Sequence, residues 1–223
     1  MNNIISLKRS GKALMKGNYI VVISFLLITT IISSIIFYYQ NIISLEIRNG
    51  LIFIIYRIPL PIITIFGLLG LIVNSSFTYS KLSIFIDITN NKKINIIDKL
   101  KLGFIDNLFR NIWLYIFRNI LILLWSLLLI VPGIIKAYTY SLAFYLINKK
   151  SSLNPPEAIR YSIKLTRGHK KKLFLLDLSY LPWYLLGILT AGILWLWIYP
   201  QHKSAKTLIY NKIYNDSNLS KLD

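Results

Sequence analysis

The chain of 223 residues contains no cysteine. That excludes disulfides, thiolate metal sites, cysteine nucleophiles and lipidation through cysteine. Histidine is nearly absent too, with 2 residues, and acidic residues number 8 against 26 Lys and Arg. Charged residues make up 15% of the chain, well short of the roughly 25% of an ordinary soluble protein. Two lone histidines, His169 and His202, have no carboxylates near them at ligand spacing, so no metal is expected, and both read as surface side chains. Ser126, Ser179 and Thr190 lack a positioned base that would make any of them a nucleophile. There is no phosphate-cradling glycine loop, no two-histidine zinc motif and no paired acidic site, so neither a catalytic set nor a cofactor is expected.

What the chain has is hydrocarbon. Hydrophobic residues account for 55% of it, and the mean hydropathy is +0.58. A spanning helix needs about 20 mostly apolar residues. The apolar runs divide into six expected spans, at about 19–38, 59–79, 112–131, 134–147, 173–189 and 193–210. The division at Pro132-Gly133 follows from the turn preference of that dipeptide, and Gly192 marks a second turn. Residues 134–147 are short for a span, at about 21 Å of helix. They are expected to tilt little, extend into Lys149, or re-enter. The run after the basic lead Lys8, Arg9, Lys12 and Lys16 is longer than a signal core and reads as an anchor that stays in the membrane. Residues 40–57 are expected on the outer face.

Between the runs lie amphipathic pieces. Ile97, Leu100, Phe104, Ile105 and Leu108 recur at helical spacing within 81–110, which predicts an amphipathic helix, either at the inner interface or packed on the protein's own spans. Asn154-Pro155-Pro156-Glu157 carries a cap, a proline suited to a first turn, and an acid three after the cap. It opens a helix with Ala158, Ile159, Ser162, Ile163 and Thr166 on one face and Gly168 as its stop. The fold class is therefore all-α: one polytopic membrane bundle over 1–223, with cytoplasmic amphipathic helices.

Net charge is +18, and its distribution sets the orientation. With both termini inside, nearly every Lys and Arg is cytoplasmic, and only Arg48 and Arg57 fall outside. A four-span arrangement would push the basic 149–172 loop outside. The expected location is a cell membrane, with anionic headgroups as the bilayer partner. Charges border apolar runs rather than forming one basic face, which argues against nucleic acid. The wealth of Ile, Asn and Lys resembles coding from an AT-rich, bacterial genome.

Ionisable groups inside spans are costly and mark candidate sites. These are Arg118, Asp177 and Lys136. Arg118 and Asp177 both lie at modest depth below the cytoplasmic face, so a pair between them is geometrically possible: it would relay an ion or substrate or fix helix register, and the alternative is an Arg118 that snorkels to the headgroups. Lys136 is expected to snorkel toward the outer interface. A faint echo links Gly133 and Tyr140 to Gly192 and Tyr199.

The run Leu124-Trp125-Ser126 through Ile130-Val131-Pro132-Gly133-Ile134 to Lys136-Ala137-Tyr138 resembles the signature of a bacterial integral membrane family, domain-of-unknown-function family 975. Lys12-Ala13-Leu14-Met15-Lys16-Gly17-Asn18, Glu157-Ala158-Ile159, Gly168-His169-Lys170, Leu176-Asp177-Leu178 and Leu196-Trp197-Ile198-Tyr199-Pro200 fit the same pattern. Residues 40–81 do not, and Pro182 stands where a small residue is expected. The resemblance implies a multi-pass helical membrane protein and carries no activity or catalytic residue. It extends more distantly to membrane domains attached to glycerophosphodiester phosphodiesterases. Three roles remain. One is a non-enzymatic accessory role in envelope homeostasis or protection against membrane-active peptides, with a membrane-protein partner or a second copy. The others are a small transporter or flippase subunit, and a membrane enzyme acting on lipid phosphates.

Overall fold

A computed structural model describes the backbone of residues 4–48 and 60–217 and the side chains of 4–39 and 67–217. Among these residues the chain is helical, with no strand. In chain order the helices are α1 (Ile4–Met15), α2 (Tyr19–Arg48), α3 (Leu60–Thr89), α4 (Ile96–Lys101), α5 (Leu108–Leu128), α6 (Ile130–Thr139), α7 (Ala143–Lys149), α8 (Pro155–Leu165), α9 (Lys170–Leu189) and α10 (Trp195–Asn215). A π-helical turn, Leu102–Asp106, follows α4.

Five stretches are long and apolar enough to cross a membrane: Tyr19–Tyr39, Gly67–Thr89, Leu108–Leu128, Ile130–Lys149 and Lys170–Leu189. Much of their apolar surface points outward. Ile31, Ile35, Leu123, Leu124, Leu127, Leu128, Leu185 and Leu189 are all exposed. Water tolerates single exposed apolar side chains, not continuous belts of them. Helices that satisfy their own backbone groups and turn leucine outward suit a hydrocarbon solvent.

The sixth expected span, 193–210, is not among the five. The helix is there, as α10, but Gln201, His202, Lys203 and Lys206 interrupt its apolar character. It lies inside the bundle, burying Ile198, Ala205, Ile209, Tyr210, Ile213 and Tyr214. The second expected span also shifts. Helix α3 runs on to Thr89, past the expected end at residue 79. Ser80, Ser83 and Asp87 are buried within it, and Lys99 neutralises Asp87 at 2.5 Å. The single amphipathic helix expected over 81–110 is thereby replaced by the end of α3, α4 and the π-turn. Ile97 and Ile105 are 75% and 69% exposed, while Leu100 packs against buried residues of the bundle. The expected outer segment 40–57 lies partly outside the described residues, and its first part, to Arg48, continues α2.

Pro132 and Gly133 do not divide the third and fourth runs. The break is at Leu129, which is extended (φ −163°, ψ 146°). Pro132 sits in the first turn of α6, where its missing N–H removes no helical bond. Gly133 is buried against α5: a Cβ there would lie 2.3 Å from Ser126 Oγ. Its role is close approach. Gly192 does turn the chain, at φ +86° beside Ala191 at φ +49°. The two glycines of the supposed echo thus occupy unlike backbone settings. The short fourth run is lengthened at both ends, into α6 and α7 together.

The gap between α6 and α7 frees backbone groups that must be satisfied. Helix α8 supplies partners: Ser162 Oγ and Thr166 Oγ1 donate to the Thr139 carbonyl at 2.6 and 3.3 Å. This explains two hydroxyls on a face otherwise made of Ala158 and Ile159, all buried. The predicted cap of α8 is present, with the Asn154 N–H donating to Glu157 Oε2 at 3.1 Å, and Gly168 closes the following turn at φ +79°. At the other end of α7, Arg110 donates to the carbonyls of Ile147 (2.9 Å) and Ser151, placing a cation where the helix dipole is negative. Residues 143–147 are wholly enclosed. They centre the larger core, with Leu114, Leu173, Leu176, Ile209 and Tyr210 around them. A second core joins Met15, Val22 and Phe25 to Ile84, Phe85 and Ile88.

Candidate functional site

Helix α9 carries Asp177, Tyr180 and Tyr184 at i, i+3 and i+7, which places them on one face. Helix α10 carries His202 and Lys206 at i and i+4, facing them. Lys206 Nζ donates to both Asp177 oxygens, at 2.7 Å to Oδ2 and 3.1 Å to Oδ1. Tyr138, from α6, donates its hydroxyl to Oδ2 at 2.8 Å. His202 Nε2 lies 2.7 Å from Oδ1, and the Tyr184 hydroxyl lies 3.0 Å from Nδ1. Both histidine contacts are satisfied by a neutral ring with its proton on Nε2: Nε2–H donates to the carboxylate and Nδ1 accepts from tyrosine. The ring also stacks on Tyr180, with centroids 4.6 Å apart.

A carboxylate has about four lone-pair sites. Asp177 receives four contacts, one from Tyr138, one from His202 and two from Lys206. Its accepting capacity is filled by α6 and α10, which ties both helices to α9. The expected partner, Arg118, is not among the donors. Distance along each helix does not give the direction a side chain takes around it, and Arg118 turns elsewhere on α5. Its guanidinium lies 5.9 Å from the Phe144 ring centroid, and Nε is buried without a hydrogen-bond partner.

Arg118 instead lines a half-enclosed cavity of about 330 Å³, with Lys81 from α3 and Lys203, Lys206 and Tyr210 from α10. Lys136 is apart from both sites. Its amine sits 4.0 Å from the Trp125 ring centroid, a cation–π contact within the α5–α6 hairpin. His202 is 9% exposed, not a surface residue. Its spacing with Lys206 inside an apolar run was the available signal, since a buried acid on the neighbouring helix needs a cation facing it. Among the described residues, no three His, Asp or Glu gather where they could hold a metal.

On the opposite flank, α1 reaches the same helices. Lys8 Nζ donates to the Ser179 carbonyl at 2.9 Å and lies 4.6 Å from the Tyr180 centroid. Burial lowers the pKa of this amine.

Fold and site define a class: an all-helical bundle of membrane-length apolar helices, pinned internally by a satisfied carboxylate and lined on one side by cations. Residues 112–217 match the family model described as "Protein of unknown function (DUF975)", so that segment is similar to the family. The match takes in Arg118, Tyr138, Asp177, Tyr184, His202, Lys203 and Lys206. It does not extend to Lys81 or to the Lys12–Asn18 motif, so it is narrower than the resemblance expected along most of the chain. No curated protein and no solved structure matches the chain.

Proposed function

We propose that this chain is a multi-pass cell-membrane protein, both termini cytoplasmic, with a non-enzymatic accessory role in envelope homeostasis or protection against membrane-active peptides. The observation carrying this reading is the saturation of Asp177. A general base or relay group needs a free acceptor or a donor it can exchange, and each Asp177 oxygen is held by two contacts from neighbouring helices. Tyr184, His202 and Asp177 line up as hydroxyl, imidazole and carboxylate, as in a nucleophilic triad. Here, however, the hydroxyl is a phenol beside a stacked ring, and Lys206 already neutralises the acid. The arrangement acts as a clamp. The test is to incubate purified protein with phospholipid vesicles and follow lipid species by mass spectrometry. No turnover is expected; turnover that disappears in His202→Ala would overturn the reading.

A second reading, a small transporter or flippase subunit, is favoured by the cation-lined cavity alone. It requires substrate flux in reconstituted vesicles that depends on Lys81, Arg118 or Lys203.

A further inference from the structure

The cavity between α3, α5 and α10 gathers four cations, Lys81, Arg118, Lys203 and Lys206. Only Lys206 has a carboxylate partner. Among the described residues no carboxylate lies within ion-pair distance of the other three. Each has an aromatic ring face instead: Phe77 at 5.9 Å from Lys81, Phe144 at 5.9 Å from Arg118 and Tyr199 at 5.3 Å from Lys203. A ring face attracts a cation but supplies no countercharge. Arg118 adds a buried Nε with no acceptor, in an interior where such groups are normally paired.

The cavity's hydroxyls carry no countercharge for these cations. Thr78, Ser141 and Thr207 each donate to a carbonyl of their own helix or turn, Asn74, Tyr138 and Lys203 respectively. Ammonium and guanidinium groups face the space, beside the side chains of Tyr199 and Tyr210. Half-buried cations gathered without a carboxylate beside three of them disfavour one another's charge, and an anion among them would offset that. Three unpaired cations match a group with more than one negative charge and several acceptor oxygens. A phosphate fits that description, and the arginine fork with lysine point charges is the usual means of holding one. The volume of about 330 Å³ is within the range of small-molecule sites. Lys81 lies about 12 Å from the Thr89 end of α3, at about 1.5 Å per residue. A bound headgroup would therefore be drawn inward from the plane where lipid phosphates normally rest.

We infer that this cavity is a binding site for a phosphate-bearing group, supplied either by an anionic phospholipid headgroup or by a soluble phosphate. The inference deepens the second reading without depending on it, because binding without flux would remove the transporter and leave the site.

The test uses the full chain purified in detergent, with tryptophan fluorescence following thermal unfolding and native mass spectrometry following bound species. Separate additions are short-chain phosphatidic acid, inorganic phosphate and chloride at matched ionic strength. Protection by phosphatidic acid alone identifies a lipid source, and protection by inorganic phosphate as well identifies the phosphate group itself. In either case Arg118→Gln with Lys203→Gln should weaken binding by about tenfold or more. Exposed Lys93→Gln should leave it unchanged. Removing uncompensated cations should not harm the ligand-free fold; should the double variant nevertheless fail to fold, Lys81→Met reads the same site. Protection by chloride equal to that by phosphate, no protection of the wild type by either ligand, or binding unchanged in the variants overturns the inference.

Discussion

At the scale of single residues, Asp177 and Lys206 are the pair on which the bundle interior depends. Asp177→Asn keeps the shape but strands Lys206, whose side chain is 15% exposed. Removing one partner of a buried pair costs about 3 kcal/mol, so the unfolding midpoint of the detergent-solubilised protein should drop. Lys206→Gln should do the same. The double variant should recover part of the loss, because the charge each single variant leaves unpaired is gone; strictly additive losses would mean the two do not act as a pair. The sequence identified Asp177 and Arg118 as costly charges but paired them with each other. Depth follows from counting residues along a helix. The direction a side chain takes around the helix axis depends on neighbours that the sequence leaves open. Lys206 is hidden for a different reason: the charge count takes it as cytoplasmic although it falls inside the expected 193–210 span.

Among the elements, the hairpin of α5 and α6 separates two meanings of the Pro132-Gly133 dipeptide. If it were a turn, both residues would resist substitution. As found, Pro132→Ala should shift stability by less than about 1 kcal/mol, because proline in a first helical turn forfeits no bond. Gly133→Val should cost about 2 kcal/mol or more by driving a side chain into Ser126. Comparable thermal midpoints for the two variants would contradict this assignment. The sequence pattern that did survive was local chemistry. The Asn154–Glu157 cap, the Gly168 stop and the Gly192 turn depend only on near neighbours along the chain. The segment 81–110 divides into the end of α3, α4 and a π-turn, a division its hydrophobic spacing does not reveal because that spacing fits a continuous helix equally well.

For the whole molecule, orientation is the claim with the widest reach. Since the chain has no cysteine, single reporters can be introduced on a silent background. Lys164→Cys and Lys171→Cys should be labelled only after the membrane is permeabilised, and exposure of either to an external reagent would reverse the proposed topology. Apolar runs and their bordering lysines made the number of helices nearly legible, with five strong candidates where six spans were expected. Helix α10 is not among the five because Gln201, His202, Lys203 and Lys206 lower its average apolar character below that of the others. A further consequence concerns how that helix reaches its place. His202, Lys203 and Lys206 make it a poor candidate for entering hydrocarbon alone, as each lysine costs about 2.5–3.5 kcal/mol at mid-bilayer. Asp177 on α9 offsets one of those charges only when both helices enter together, through the tight connection at Gly192. Biogenesis should therefore treat residues 170–215 as one cargo: in a translocon reporter assay, α10 presented by itself should be refused, and the α9–α10 pair accepted less readily once Asp177 is changed to Ala.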